Sequence, residues 1–232
     1  MQAKPKPSKS IEFVSATLKR EHEFRSTAPL GVSLSRLQAF DANITSRIFY
    51  ENSEPLANCY NQRIEQSEAD YLVFVHDDVW LDDYHTPTRV SEALGCYDII
   101  GVAGNKQRAK FQPSWAFINT EGGWDSDHNL SAAVAHGWHP FGNLGKTWKS
   151  PADCKLLDGV FLAVNRKQLV SNNVRFDPQF RFHFYDLDFC RSATEKGLKL
   201  GTWPIAITHV SGGNFDSKWI EVSKLYFKKW GD

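Results

Sequence analysis

The chain has 232 residues, room for one large domain or two small ones with a proper core. Its 27 Lys and Arg match 27 Asp and Glu, and that neutrality argues against the broad phosphate attraction of a nucleic-acid binder. Apolar residues make up 41% of the chain, yet no apolar run approaches the roughly 20 residues of a membrane span, so any membrane association is expected to be peripheral.

Residues 1–10 (MQAKPKPSKS) are basic and proline-rich without the apolar segment of a secretory signal, and read as a flexible tail. Residues 11–17 (IEFVSAT) read as a short buried strand, and residues 47–51 (RIFYE) as a second. A helix is expected over 54–66, where Leu56, Tyr60 and Ile64 recur at helical spacing. YLVFV, residues 71–75, has the continuous apolar character of a strand buried on both faces, and it ends abruptly in His76-Asp77-Asp78. Residues 98–102 (DIIGV) are a further strand candidate.

Residues 106–153 change character: they are rich in Gly, Trp, His and Asn, and hold four of the eight Trp. A long irregular segment of this kind reads as a functional or flexible loop. Patterning resumes at 156–164 (LLDGVFLAV), read as one strand, followed by a short helix over 186–196 that Gly197 stops. Residues 200–208 (LGTWPIAIT) read as the last strand, running into His209-Val210-Ser211-Gly212-Gly213, and 218–230 as an amphipathic helix. Four well-separated cysteines, Cys59, Cys96, Cys154 and Cys190, show no CxxC spacing and read as reduced, mostly buried thiols, which fits the cytoplasm.

Strands alternating with helices imply an α/β domain with a parallel sheet, and ligands of such sheets sit beyond the carboxyl ends of the strands. Three clusters stand at such ends. His76-Asp77-Asp78 places acids where burial is costly unless something pairs with them. A divalent cation holding a diphosphate is one partner, and a Lys or Arg, or a capped turn, is the other reading. Asp186-Leu187-Asp188 opens a helix. There an acid serves either as an N-cap or as a general base toward a hydroxyl. In the stretch after the last strand, His209 reads as a metal or phosphate contact or as a structural histidine, and two glycines permit close backbone approach.

YLVFVHDDVWL, LLDGVFLAVNR, FRFHFYDLDFCRSATEKGLKLGTWP and ITHVSGG together resemble the GT-A-fold glycosyltransferases of the family-2-like group. The match is closest to a bacterial branch whose strand end reads His-x-Asp-Val, and it covers residues 11–230. The resemblance implies a Rossmann-like nucleotide-binding half, residues 11–105, and an acceptor-binding, catalytic half, residues 106–232. It implies a nucleoside-diphosphate sugar donor, UDP-sugar foremost, with Mn2+ or Mg2+, and a carbohydrate or glycolipid acceptor.

By motif, the resemblance makes Asp186 the catalytic base and assigns His76, Asp78 and His209 to the metal, with Asp77 beside them. Asp158 and Gly159 line the donor sugar, Asp188 supports the site, and Ser15, Thr17, Asn52 and Asn61 fall where the nucleotide is held. Two positions depart from the pattern. Tyr185 stands where many relatives have Glu, and His76 where they have Asp. Two other readings are a metal-dependent phosphoester hydrolase built from His76, Asp77, Asp78, His85 and His209, and a non-catalytic sugar-binding module using exposed Trp.

Overall fold

A computed structural model of the chain describes residues 9–232. Most of the expected flexible tail, residues 1–8, lies outside the described residues. Its last two residues are tied to Asp70, whose carboxylate accepts from Lys9 Nζ at 2.7 Å and from the Ser10 backbone N–H at 3.1 Å.

The first strand, β1 (Ile11–Ala16), is followed by two helices that the sequence reading did not place, α1 (Glu21–Thr27) and α2 (Pro29–Phe40). Gly31, Ser33 and Ser35 weaken helical propensity in α2. Packing overrides it: Leu30, Leu34 and Leu37 are buried. Strand β2 (Ile44–Phe49) begins three residues earlier than expected because Ile44 pairs with Ile11, and it stops before Glu51, whose φ is 48°. The chain continues through α3 (Leu56–Gln66), β3 (Tyr71–Val75), β4 (Val79–Leu81), α4 (Thr86–Ala93), β5 (Ile99–Gly101) and β6 (Ala103–Asn105). Within the irregular segment only short strands form: β7 (Leu130–Ala132), β8 (Ala135–His136), β9 (Asn143–Leu144) and β10 (Ala152–Asp153).

The strand expected over 156–164 is two strands, β11 (Leu156–Leu157) and β12 (Phe161–Asn165). Asp158 breaks it by folding its carboxylate back to accept from Val160 N–H at 2.8 Å. After α5 (Arg166–Ser171) and α6 (Tyr185–Glu195), the strand expected over 200–208 is also two, β13 (Leu200–Thr202) and β14 (Ile207–His209). Pro204 interrupts it, since proline has no N–H for a ladder. Helix α7 (Ser217–Trp230) closes the chain. Its N-cap is Asp216, which accepts from Trp219 N–H at 3.0 Å, and Gly231 stands at its end with φ 66°.

The main sheet has the order β10-β13-β5-β12-β3-β1-β2. Strands β2, β1, β3, β5 and β13 point one way, while β12 and β10 run against them, so the sheet is mixed and mostly parallel. Strand β3 lies inside it as its apolar run requires. Leu72 and Phe74 face one core layer, and Val73 and Val75 the other. A four-stranded sheet, β4-β14-β8-β9, positions the candidate site. Its register sets Val79 opposite His209, and His209 beside His136. Among the described residues, no helix is long and apolar enough to cross a membrane.

Candidate active site

His76-Asp77-Asp78 is the turn that leaves the main sheet at the end of β3 and enters the small sheet at β4. Because β14 ends beside β4, His209 arrives opposite that turn. The potential ligand atoms of His76, Asp78 and His209 all lie within 4.8 Å of one another. His209 Nε2 stands 3.2 Å from Asp78 Oδ1, and the Ser211 backbone N–H donates to Asp78 Oδ2 at 3.3 Å.

Burial by itself would raise the Asp78 carboxyl. The His209 hydrogen bond and the charges of His209 and His76 outweigh it and hold Asp78 below the usual carboxylate range. Burial lowers His76, reinforced by the nearby His209. His209 is raised, since Asp78 overcomes its burial. Two imidazoles and one carboxylate converging in this way fit a divalent cation of the manganese type better than a cation that takes oxygen ligands alone. Asp77 points elsewhere and accepts from Thr17 Oγ1 at 2.6 Å. The same turn therefore sends alternate acids to different places.

A cleft of about 460 Å3 opens beside this cluster, and its lining includes His76, His209, Asp158 and Asp186 together with Trp115, Trp124, Phe117 and Phe215. Helix α6 begins at Tyr185, one residue before the expected start, and its cap residue Phe184 adopts φ 65°. Asp186 is thus inside the first turn and is not the N-cap. Its carboxylate accepts from Gly159 N–H and Leu187 N–H, each at 2.9 Å. Burial, with the neighbouring Asp158 charge, pushes Asp186 up to about 7 against those two hydrogen bonds. A carboxyl poised there suits proton transfer near neutral pH.

Gly159 has a definite reason to be glycine. A Cβ there would lie 2.2 Å from the Tyr185 hydroxyl, which donates to the Gly159 carbonyl at 3.0 Å and meets His76 Nε2 at 2.8 Å. The glycine expected to line a sugar makes room for a tyrosine.

The remaining sequence candidates separate. Ser15 is buried with an unpartnered hydroxyl, at the end of β1 that also carries Thr17. Asn52 holds a turn: its amide donates to Glu54 O at 2.9 Å and its oxygen accepts from Glu54 N–H at 3.3 Å. Asn61 clamps the backbone of Phe176, accepting from its N–H at 2.9 Å and donating to its carbonyl at 2.8 Å, so its amide is engaged in packing. None of these lines the aromatic cleft.

Asp188 is fully buried on the far side of α6, accepting from Lys229 at 2.7 Å and from Trp230 Nε1 at 2.9 Å. Its role here is to fasten α7 to α6. Asp188→Ala should cost about 2–4 kcal/mol by leaving the Trp230 N–H unpaired and Lys229 with Asp177 alone. Thermal unfolding then falls by on the order of 5–10 °C while the KM for any donor substrate stays put. His85 stands edge-on to Phe40, with ring centroids 6.4 Å apart, and is not part of the cation cluster.

Sequence reasoning missed His136, Phe182, His183 and Trp219, all of which line the cleft. His136 reaches it through the β8–β14 register, with its ring 6.0 Å from that of His209. No local motif marks it.

Solved structures share the fold at low sequence identity. The catalytic domain of Drosophila beta1,4-galactosyltransferase 7, solved with xylobiose, superposes with a TM-score of 0.52 at 10% identity, over 93% of this chain and 79% of that one. TarS of S. aureus gives 0.52 at 9% identity, over 93% of this chain and 39% of that one. A197 from STIV gives 0.50 at 11% identity, over 87% and 86%. At such identities the likeness speaks to the fold, which is the GT-A α/β fold.

A curated protein of Fuscovulum blasticum, described as "ATP synthase subunits region ORF 6", is 29% identical over 140 residues. That match takes in 58% of this chain and 49% of the relative, so the chain spans about half the length of the curated relative. The family profile described as "Glycosyltransferase like family" matches residues 33–228. With that match over most of its length, and with the fold to go with it, the chain belongs to the glycosyltransferase-like family.

Proposed function

We propose that this protein transfers a sugar from a nucleoside-diphosphate sugar, UDP-sugar foremost, to a hydroxyl of a carbohydrate or glycolipid acceptor, with inversion and with Mn2+ or Mg2+. One observation carries the reading: His76 and His209 of the His76–Asp78–His209 cluster line the same cleft as the raised Asp186 carboxyl. A bound divalent cation would offset the charge developing on the departing diphosphate.

The protein's own groups do the rest. Asp186 takes the proton of the acceptor hydroxyl, whose oxygen bonds to the anomeric carbon as the bond to the diphosphate oxygen breaks on the opposite face. Trp115, Trp124 and Phe117 form the wall against which the acceptor is shaped, and they shed water from the reacting groups. The division of labour follows the chain. Residues 11–105 take the nucleotide at the end of β1 beside Thr17 and Asp77, Asp158-Gly159 borders the donor sugar, and residues 106–232 bring the base and the acceptor wall. Four free thiols suit action in a reducing cytoplasm. The phosphoesterase reading is weaker, because His85 stands apart from the cluster.

A thermal-shift panel tests the proposal. UDP with Mn2+ should raise the melting temperature by on the order of 5–10 °C at saturation, clearly more than Mn2+ or UDP does alone. Phosphate release from simple phosphate esters, with no shift from any nucleotide, would refute it.

A further inference from the structure

We propose that the Tyr185 hydroxyl fixes the tautomer of His76, so that His76 presents Nδ1 to a divalent cation shared with Asp78 and His209. The inference rests on the metal-dependent reading above, but the geometry behind it belongs to the protein alone.

The Tyr185 hydroxyl has one hydrogen and two neighbours. The Gly159 carbonyl oxygen lies 3.0 Å away and His76 Nε2 lies 2.8 Å away. A carbonyl oxygen only accepts. If the phenol gives its hydrogen to Gly159, both contacts are satisfied, because His76 Nε2–H then donates to the phenol oxygen. The opposite choice leaves two oxygens facing each other with no hydrogen between them. Nε2 therefore carries the imidazole hydrogen, and Nδ1 keeps its lone pair for a ligand. A metal-binding imidazole is commonly held through its other nitrogen in this way, which sets both its tautomer and its direction.

The surroundings leave Tyr185 little freedom. It is 2% exposed, and its ring packs against those of Tyr60 and Phe176, at 6.1 and 6.0 Å between centroids. Phe182 stacks on His76 at 6.0 Å. The missing Cβ of Gly159 provides the space that the hydroxyl occupies. The two departures from the family pattern are thereby one feature. A histidine at 76 needs an acceptor at Nε2, and a tyrosine at 185 supplies it without adding a further negative charge beside Asp158 and Asp186.

Tyr185→Phe removes the oxygen and keeps the ring, and so preserves the packing. Mn2+ alone is titrated into metal-free protein, and histidine 15N spectra are recorded before metal is added. The dissociation constant for Mn2+ should rise about 10- to 100-fold in Tyr185→Phe. Adding Tyr185→Phe to a His76→Gln background should change nothing further, because Tyr185 acts through that ring. In the metal-free wild type, His76 should be protonated at Nε2 and bare at Nδ1, and the variant should lose this fixed signature. Wild-type Mn2+ affinity in Tyr185→Phe, or a His76 protonated at Nδ1, overturns the proposal. A wild type that binds no Mn2+ overturns the metal reading instead, and the metal-free spectra then decide the role of Tyr185 separately.

Discussion

Asp186→Asn should lower the turnover of sugar transfer by about 10²–10⁴-fold while leaving nucleotide affinity unchanged. The amide keeps the size of the carboxyl and one acceptor for Gly159 and Leu187, but it takes no proton from a hydroxyl. A variant with wild-type turnover would remove Asp186 from the chemistry.

The same substitution has a pH signature. Burial, then Asp158, holds the carboxyl at about 7, against an ordinary value of 3.8. The wild-type rate should therefore fall on the acid side with a midpoint no higher than about 7, since a bound cation only favours ionisation. Between pH 4 and 7 the folded, metal-free protein keeps a proton that the unfolded chain has released. Its stability contribution is thus intact below the lower value and lost as pH rises through the upper one. Removing the charge removes that loss. The melting temperature of Asp186→Asn relative to wild type should rise from pH 5 to pH 8, by a few degrees for on the order of 1–2 kcal/mol in a cleft open to water. A pH-independent difference would mean that the carboxyl titrates normally.

Asp78→Asn should have the second large effect. Asp78 is the one carboxylate of the cluster, and His76 and His209 alone offer two neutral donors. Mn2+ affinity, read by titration of the metal-free protein, should drop at least about 100-fold, and transfer by on the order of 10²–10³-fold. Asp77→Asn is the control. Its carboxylate faces Thr17, so the variant should keep its Mn2+ affinity. Equal loss in both variants would mean that the turn, and not Asp78, matters. Chelation followed by Mn2+ or Mg2+ at equal concentration should restore activity better with Mn2+, because two of three protein donors are imidazoles, which Mg2+ binds poorly.

The parts of the fold visible in the chain are those in which local pattern and tertiary demand agree. YLVFV is β3 over the same five residues because an uninterrupted apolar run leaves a strand no choice but burial on both faces. Helix α6 with its stop at Gly197, where φ is 80°, and α7 with its apolar face were legible for the same reason. Helix α2 was not, because Gly31, Ser33 and Ser35 are overruled by packing at Leu30, Leu34 and Leu37, and nor was the short α1, which buries only Phe24. Nor were the breaks at Asp158 and Pro204, where an apolar pattern runs on while the chain changes sheet. Asn61 and Asp188 were assigned to the site by the family resemblance, Asn61 through its helix and Asp188 as the next acid of the Asp186 motif. Their neighbours, Phe176 in one case and Lys229 with Trp230 in the other, show the same groups satisfied by packing.

By itself the sequence determined which chemical groups were available: an acidic turn after a buried strand, an acid opening a helix, and a histidine closing the last strand. Tertiary structure alone decided which of them meet. It turned Asp78 inward and Asp77 away, brought His136 beside His209 through strand register, and gave Gly159 its meaning through Tyr185. The reason is physical. Residue type and spacing follow from the chain's own periodicity. Convergence of groups more than a hundred residues apart depends on how two sheets share a corner, and no local pattern encodes that.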